Sequence, residues 1–259
     1  MAHEFDGVKY AKVSAHQREW GKRVIDELDL SGGESILDLG CGDGFLTAFL
    51  AEHVPEGTVT GIDASFGMIE AAGKHKIFNL AFYIKDINEL DYVSEFDLIF
   101  SSATLHWVHD HKRLLYNCHC ALKPRGRIRF NFAADGNCSN FNETVLAMMQ
   151  DERFSMHFTN FHWPWYMPKL EEYERLAMDS EFRETKVWGE NMDRYFPTVD
   201  ALIGWINQPA IVPFLSGMHE ENDKMAFREA IINRMIERTR RSDGTCFETF
   251  RRINISAIK

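Results

Sequence analysis

The stretch ILDLGCGDGFLT, Ile36 to Thr47, restricts this chain more than any other: an apolar run breaks into a glycine-rich turn and reopens as a helix. Ile36, Leu37 and Leu39 read as a buried strand, and FLTAFLAEHV as the helix that follows it. Gly40, Gly42 and Gly44 keep Cβ atoms out of the turn, so a ligand can lie against bare peptide groups at a helix N-terminus. The pattern then repeats. GTVTGID reads as a strand, SFGMIEAAGKH as a helix, AFYIKD and FDLIFSS as strands, His111 to Leu122 as a helix, and GRIRFNF as a fifth strand beyond Pro124 and Gly126. Short strands joined by helical crossovers predict an α/β fold, a doubly wound parallel sheet with helices on both faces.

The flanks are less regular. SAHQREWGKRVIDELDL, Ser14 to Leu30, predicts one helix stopped by Gly32 and Gly33, and residues 1–33 form a helical cap in this reading. Residues 34–136 then make the ligand-binding half. From 137 to 180 the chain is rich in Phe, Met and Trp around FHWPWYMP, which predicts a helical insertion laid over the sheet as a lid. Residues 181–259 complete the sheet: ETKVWGENMDRYF and TCFETFRRINISAI read as two late strands, with helices at Val199–Trp205 and Asp223–Arg240. A length of 259 residues with 45% hydrophobic side chains suits one domain with one core carrying insertions.

Charge and composition exclude several classes. A net charge of −10 opposes nucleic acid and anionic membranes as partners. Five cysteines without a CxxC pair suggest neither a disulfide framework nor a zinc knuckle. No apolar window is long enough for a membrane span and the N-terminus lacks a secretory pattern, so a soluble, cytoplasmic protein is expected. His106, His109, His111 and His119 come without a convincing carboxylate or thiolate set, and no metal is expected.

Two ligand classes share the geometry of the glycine turn, dinucleotides and S-adenosylmethionine. The dinucleotide fingerprint G-x-G-x-x-G, counted from Gly40, requires glycine where this chain has Phe45. Asp38 and Asp43 straddle the turn, which disfavours a pyrophosphate and favours a sulfonium with an ammonium group. Asp63, at the end of the second strand, can accept from both hydroxyls of a ribose. Asp86, after the third strand, can accept from an adenine amino group, with Ile87 offering an apolar edge.

These segments resemble the class I S-adenosylmethionine-dependent methyltransferases. ILDLGCGDG is similar to motif I, GIDAS to the ribose-binding turn, KDI to the adenine-contacting turn, FDLIFSSATLHWV to motif IV, and LKPRGRIRF to the lead-in to the fifth strand. The resemblance implies a Rossmann-like seven-stranded sheet of order 3-2-1-4-5-7-6 with strand 7 antiparallel. Within the class, DLIFSSATLHWVHDH, Tyr10 with Gln17, WPWYMPKLEEYERL and FRRINISAI are similar to the trans-aconitate methyltransferase-like group. That similarity implies Tyr10 and Gln17 over the cofactor, Ala64 and Met68 beside it near Asp63, and the peptides of Ser101 and Ser102 at its methionyl ammonium. His106 and Trp107 would then meet the acceptor.

The implied reaction is methylation of a small organic acid's carboxylate. Such an acceptor is already ionised at neutral pH and requires no general base, so orientation and charge pairing carry the catalysis. His106 can donate to that carboxylate, act as a base for a less acidic acceptor, or pack against the sheet. Trp163, Trp165 and Tyr166 can roof a pocket or form the insertion's own core. Arg194, Arg251 and Arg252 are candidate carboxylate clamps, of which Arg251 and Arg252 cannot both face one pocket because neighbours on a strand point to opposite faces. Arg194 and Arg251 are taken with Trp163 and Tyr166 as the substrate-binding set. The competing readings are another oxygen or nitrogen acceptor, a nicotinamide-dependent oxidoreductase, and a non-catalytic cofactor-binding module.

Overall fold

The computed structural model describes residues 4–7 and 14–259 and divides the chain into two compact units. The first comprises residues 1–135, 165–190 and 252–259, and the second residues 136–164 and 191–251. The expected lid segment is shared between them: its residues 137–164 belong to the second unit and 165–180 to the first.

The first unit is built on β1 (Ser35–Leu39), β2 (Thr58–Asp63), β3 (Leu80–Ile84), β4 (Phe96–Ser102), β5 (Leu122–Ala133), β6 (Arg183–Asn191) and β9 (Arg251–Ile258). These form a seven-stranded sheet of order β3-β2-β1-β4-β5-β9-β6, the topology that the resemblance implied. β1 pairs parallel with β2 and β4, β2 with β3, and β4 with β5, while β9 runs antiparallel to β5 in register Asn131↔Asn254. Its α-helices among the described residues include α1 (Ala15–Asp26), α2 (Phe45–His53), α3 (Phe66–Ala72), α4 (His111–Ala121) and α6 (Leu170–Met178).

Period-two alternation along the strands sends side chains to two faces. On one face Ile36, Val59, Leu98 and Phe100 pack with Val24 and Ile25 of α1 and Leu50 of α2. On the other, Leu37, Ile99, Phe130, Phe132 and Ile255 pack with Leu115 of α4 and Tyr173 of α6. Both faces are therefore covered, as a parallel sheet requires. Towards β5 and β9 the first face changes character: Arg129, Asn131, Arg252 and Asn254 are all at least 94% buried there.

The second unit holds α5 (Ser139–Met149), α7 (Val199–Trp205), α8 (Val212–Leu215), α9 (Glu221–Thr239) and a two-stranded antiparallel sheet of β7 (Arg194–Phe196) and β8 (Cys246–Glu248). Aromatic rings make its core, with Phe141 against Trp205 and Phe154 against Phe227. The buried Glu248 carboxylate begins α5, accepting from the Phe141 N–H at 2.9 Å and the Asn140 N–H at 3.2 Å. Burial raises its pKa, and these backbone bonds oppose the rise.

Each of the two expected late strands is in fact two. β6 ends and β7 begins around Asp193, whose carboxylate accepts the Phe250 N–H at 3.0 Å, while the Met192 N–H donates to the Phe250 carbonyl at 2.7 Å. A side chain thus takes over a backbone bond at a corner. None of the helices among the described residues is long and apolar enough to cross a membrane.

Candidate active site

The carboxyl ends of β1, β2 and β4 converge in the first unit. Gly40 and Cys41 donate their N–H groups to the Ile62 carbonyl at 2.8 and 2.9 Å, which folds the turn onto β2. Gly40 has φ +69°, and a Cβ there would overlap Thr104, whose hydroxyl donates to the Gly40 carbonyl at 3.0 Å. Gly42 is different: at φ +54° a Cβ would meet no described atom within 4 Å. The first glycine admits the protein's own close packing, and the second leaves open space above the turn. Gly44, at φ +78°, closes it against Phe82 and Ala72 and starts α2.

Three acids bracket the turn, in distinct states. Asp38 is 2% exposed and accepts the Thr47 hydroxyl at 2.7 Å. Burial pushes its pKa to about 7, the Thr47 bond opposes this, and the Asp63 charge adds to it. Asp63 accepts the Gly42 N–H at 3.0 Å on one oxygen and the Ser65 N–H at 2.9 Å on the other, so its carboxylate plane is fixed. Burial raises its pKa too, against those bonds. Asp43 forms an ion pair with Arg18, whose guanidinium also lies over the Phe45 ring at 4.4 Å. The charge that the sequence argument credited to Asp43 is therefore offset by α1.

The other expected cofactor contacts are distributed around this turn. Ala64 follows Asp63, and Met68 is buried on α3, donating its N–H to the capping Ser65 hydroxyl. Asp86 caps the short turn Ile87–Glu89 by accepting the Asn88 N–H at 2.8 Å, while Ile87 is buried in the core. Ser101 spends its hydroxyl on the Leu39 carbonyl at 2.8 Å. Ser102 Oγ and, on α1, Gln17 Oε1 are buried polar atoms with no hydrogen-bond partner among the described residues. A natural complement for such oxygens is a donor-rich ligand group such as an ammonium. Tyr10 lies outside the described residues.

The acceptor-side residues fall into two sets. His106 and Trp107 occupy the single helical turn Leu105–Trp107 in the first unit, and the Tyr166 N–H donates to the His106 carbonyl at 2.8 Å. Trp107 meets Trp165 and Phe5 edge-on, each at 5.7 Å. His106 Nδ1 is buried without a hydrogen-bond partner among the described residues. Burial, and then the Arg252 and His111 charges, lower the pKa of His106 to about 3. His111 is committed on both nitrogens, to Tyr173 Oη at 3.1 Å and the Leu105 carbonyl at 2.9 Å, and burial lowers it to about 4. Trp163, Arg194 and Arg251 belong to the second unit. There Trp163 packs on Phe214 at 5.4 Å, Arg194 stands opposite Glu248 in the small sheet, and Arg251 pairs with Asp193.

Sequence reasoning missed the N-terminal contacts and the polar face of β5 and β9. Glu4 accepts from the Ser65 hydroxyl and the Gly67 N–H at the start of α3, and the Phe5 N–H donates to the Ser65 hydroxyl. No motif announces this. The polar face did carry a signal, because Arg129 and Asn131, and Arg252 and Asn254, alternate with apolar residues in strands otherwise assigned to the interior.

A sequence family described as "Methyltransferase domain" matches residues 36–126. The trans-aconitate 2-methyltransferase of Deinococcus radiodurans is 32% identical over 184 residues, covering 70% of this chain and 70% of that protein. The Escherichia coli protein of the same name is 24% identical over 216 residues, covering 83% and 82%. Among solved structures, Haemonchus contortus phosphoethanolamine N-methyltransferase 2 in complex with S-adenosyl-L-methionine superposes with a TM-score of 0.61 at 19% identity, a likeness of fold. The match covers 98% of this chain and 56% of that one, so the chain spans about half the length of that enzyme.

Sheet order, glycine turn and sequence relatives together define a methyltransferase of Rossmann-like fold. The chain belongs to the class I S-adenosylmethionine-dependent methyltransferases.

Proposed function

We infer that the chain methylates a carboxylate oxygen of a small organic acid. The observation that carries this reading is that, among the described residues, neither histidine beside the proposed acceptor position is a usable base: burial holds His106 near 3, and His111 near 4 with both nitrogens engaged. Such weak bases take no proton from an amine or phenol at neutral pH. A carboxylate requires no proton removal. The names of the Deinococcus radiodurans and Escherichia coli relatives support the same substrate class.

When bound, S-adenosylmethionine supplies an electrophilic methyl group, so that a new O–C bond forms as the C–S bond breaks and its electron pair passes to sulfur. The residues of the chain orient and shield. Asp63 would accept the ribose hydroxyls with the lone pairs that Gly42 and Ser65 leave, and Asp86 would accept from the adenine amino group. Gln17 Oε1 and Ser102 Oγ would hold the methionyl ammonium, and ionised Asp38 would favour the cationic donor through its charge. Trp107, Trp165 and Tyr166 exclude water from the acceptor's side.

The test is a labelled-methyl assay against acids, amines, thiols and phenols, with trans-aconitate among the acids, followed by a pH profile at saturating substrates. A carboxylate acceptor predicts product on acids and a kcat that is level from about pH 6 to 9. Turnover confined to amines or phenols, with a rising alkaline limb, would overturn it.

A further inference from the structure

Residues 4–7 lie across the start of α3 and are held there by hydrogen bonds and by close backbone contact. Glu4 Oε1 accepts the Ser65 hydroxyl at 3.0 Å and the Gly67 N–H at 2.6 Å, and its Oε2 accepts the Phe66 N–H at 3.2 Å. The Phe5 N–H donates to the Ser65 hydroxyl at 3.3 Å. Ser65, 2% exposed, also accepts the Met68 N–H at 3.3 Å, so the donor and both lone pairs of its hydroxyl are in use. Glycines permit the approach. A Cβ at Gly67 would overlap the Phe5 carbonyl oxygen, and one at Gly7 would come within 2.7 Å of the Ala71 Cβ and of the Gly67 carbonyl oxygen.

This segment ties the Asp63 end of the site to the Trp107 end. Ser65 donates its N–H to Asp63 Oδ1 at 2.9 Å. One residue beyond Glu4, the Phe5 ring meets Trp107 edge-on at 5.7 Å, and Trp107 meets Trp165 in the same way. An edge-to-face ring pair carries no hydrogen bond of its own, so the place of the Phe5 ring depends on what fixes its backbone. Here that is the Glu4 carboxylate together with the Ser65 hydroxyl. Glu4 is exposed, so water competes for its bonds. A carboxylate shared among three donors at the surface makes a latch that holds and can still open.

We propose that Glu4 is a positioning residue for methyl transfer: by latching residues 4–7 to the start of α3 it sets the Phe5 ring against Trp107, and that ring completes the apolar wall on the acceptor's side. This rests on the reading that places the acceptor beside Trp107. Glu4 touches neither donor nor acceptor and acts through Phe5. With the latch open, water reaches the part of Trp107 that Phe5 covers, and a bound acceptor loses one wall. Asp63 keeps its backbone bonds from Gly42 and Ser65 when Glu4 lets go, so the loss falls on the acceptor and not on the methyl donor.

The test takes Glu4→Ala, Phe5→Ala, their double variant and Gly67→Ala, with trans-aconitate as the acceptor and S-adenosylhomocysteine as the calorimetric probe of the donor side. Each single variant should lower kcat/KM for the acid about 3- to 10-fold, the worth of one edge-to-face ring pair, chiefly through KM. Affinity for S-adenosylhomocysteine should stay within about twofold. Because Glu4 acts through Phe5, the double variant should be no worse than Phe5→Ala alone. Gly67→Ala reaches the same end by pushing on the Phe5 carbonyl, and Glu4→Gln, which retains an acceptor oxygen, should recover part of the loss. The indole N–H resonance of Trp107, assigned with Trp107→Phe, should shift in both Glu4→Ala and Phe5→Ala, a readout independent of turnover. Unchanged acid kinetics in Glu4→Ala, losses that multiply in the double variant, or an unmoved Trp107 resonance would each overturn the proposal. A fall in S-adenosylhomocysteine affinity with unchanged acid KM would also overturn it and assign Glu4 to the donor. If wild type methylates no acid, the carboxylate reading fails first, and the Trp107 resonance, with KM for whichever amine or phenol is turned over, still decides the latch.

Discussion

Replacement of Asp38 by asparagine separates what the fold prefers from what the methyl donor requires. The folded, unliganded chain holds the Asp38 carboxyl at a pKa of about 7, against 3.8 for the ordinary group, chiefly because it is buried. A folded-state pKa above the unfolded one means that the native state keeps a proton which the unfolded chain has released. The contribution of Asp38 to stability is full below about pH 4 and is lost as pH rises through 7. Each unit is worth about 1.4 kcal/mol, so ionised Asp38 costs the unliganded fold on the order of 4 kcal/mol at pH 8. Asparagine can still accept from Thr47 and cannot ionise. Unliganded Asp38→Asn should therefore melt roughly 8–16 °C above wild type at pH 8, with the difference shrinking as pH falls and vanishing below about pH 4. Cofactor binding should respond in the opposite sense. Wild-type affinity for the cationic S-adenosylmethionine should rise by up to about tenfold per unit between pH 5.5 and 7, and the variant should bind more weakly with no such slope. Scanning and titration calorimetry across this range read both effects. A variant less stable than wild type at pH 8, or a stability difference that ignores pH, would refute the reasoning.

Three further outcomes are expected. Gly42→Ala should lower stability by only about 1–2 kcal/mol, the strain of a left-handed residue, yet weaken S-adenosylmethionine binding tenfold or more, because its new methyl enters open space above the turn; unchanged affinity in a titration would show that the donor lies elsewhere. Glu248→Ala should cost the second unit roughly 2–4 kcal/mol by stranding the buried N–H groups at the start of α5, and a melting temperature within about 2 °C of wild type would contradict this. His106→Ala should reduce methyl transfer while leaving cofactor affinity within about twofold; wild-type turnover would assign the ring to packing.

The first half of the fold was legible because its signals are local. Strand, glycine turn and helix succeed one another within a few residues, and Asp63 and Asp86 mark strand ends that periodicity already located. The late strands were not, since the break near Asp193 depends on a side chain meeting Phe250, 57 residues away. Arg251 and Arg252 show the same limit. Alternation dictated that they part company, but which of them met Asn131 depended on a partner strand 121 residues distant. Asp43 looked like a bare charge because its counter-ion, Arg18, comes from a helix that the turn itself does not predict.

The insertion of β9 between β5 and β6 has a cost in time. β5 is synthesised long before its antiparallel neighbour, since the Asn131–Asn254 pair spans 123 positions. Until β9 emerges, β5 presents a row of unpaired amides and carbonyls, a template on which another nascent chain can add. Closing so large a loop is slow compared with local helix formation. Production of this enzyme should therefore depend on chaperone supply and growth temperature, and a ribosome stalled before residue 251 would display a sticky intermediate rather than a smaller working enzyme.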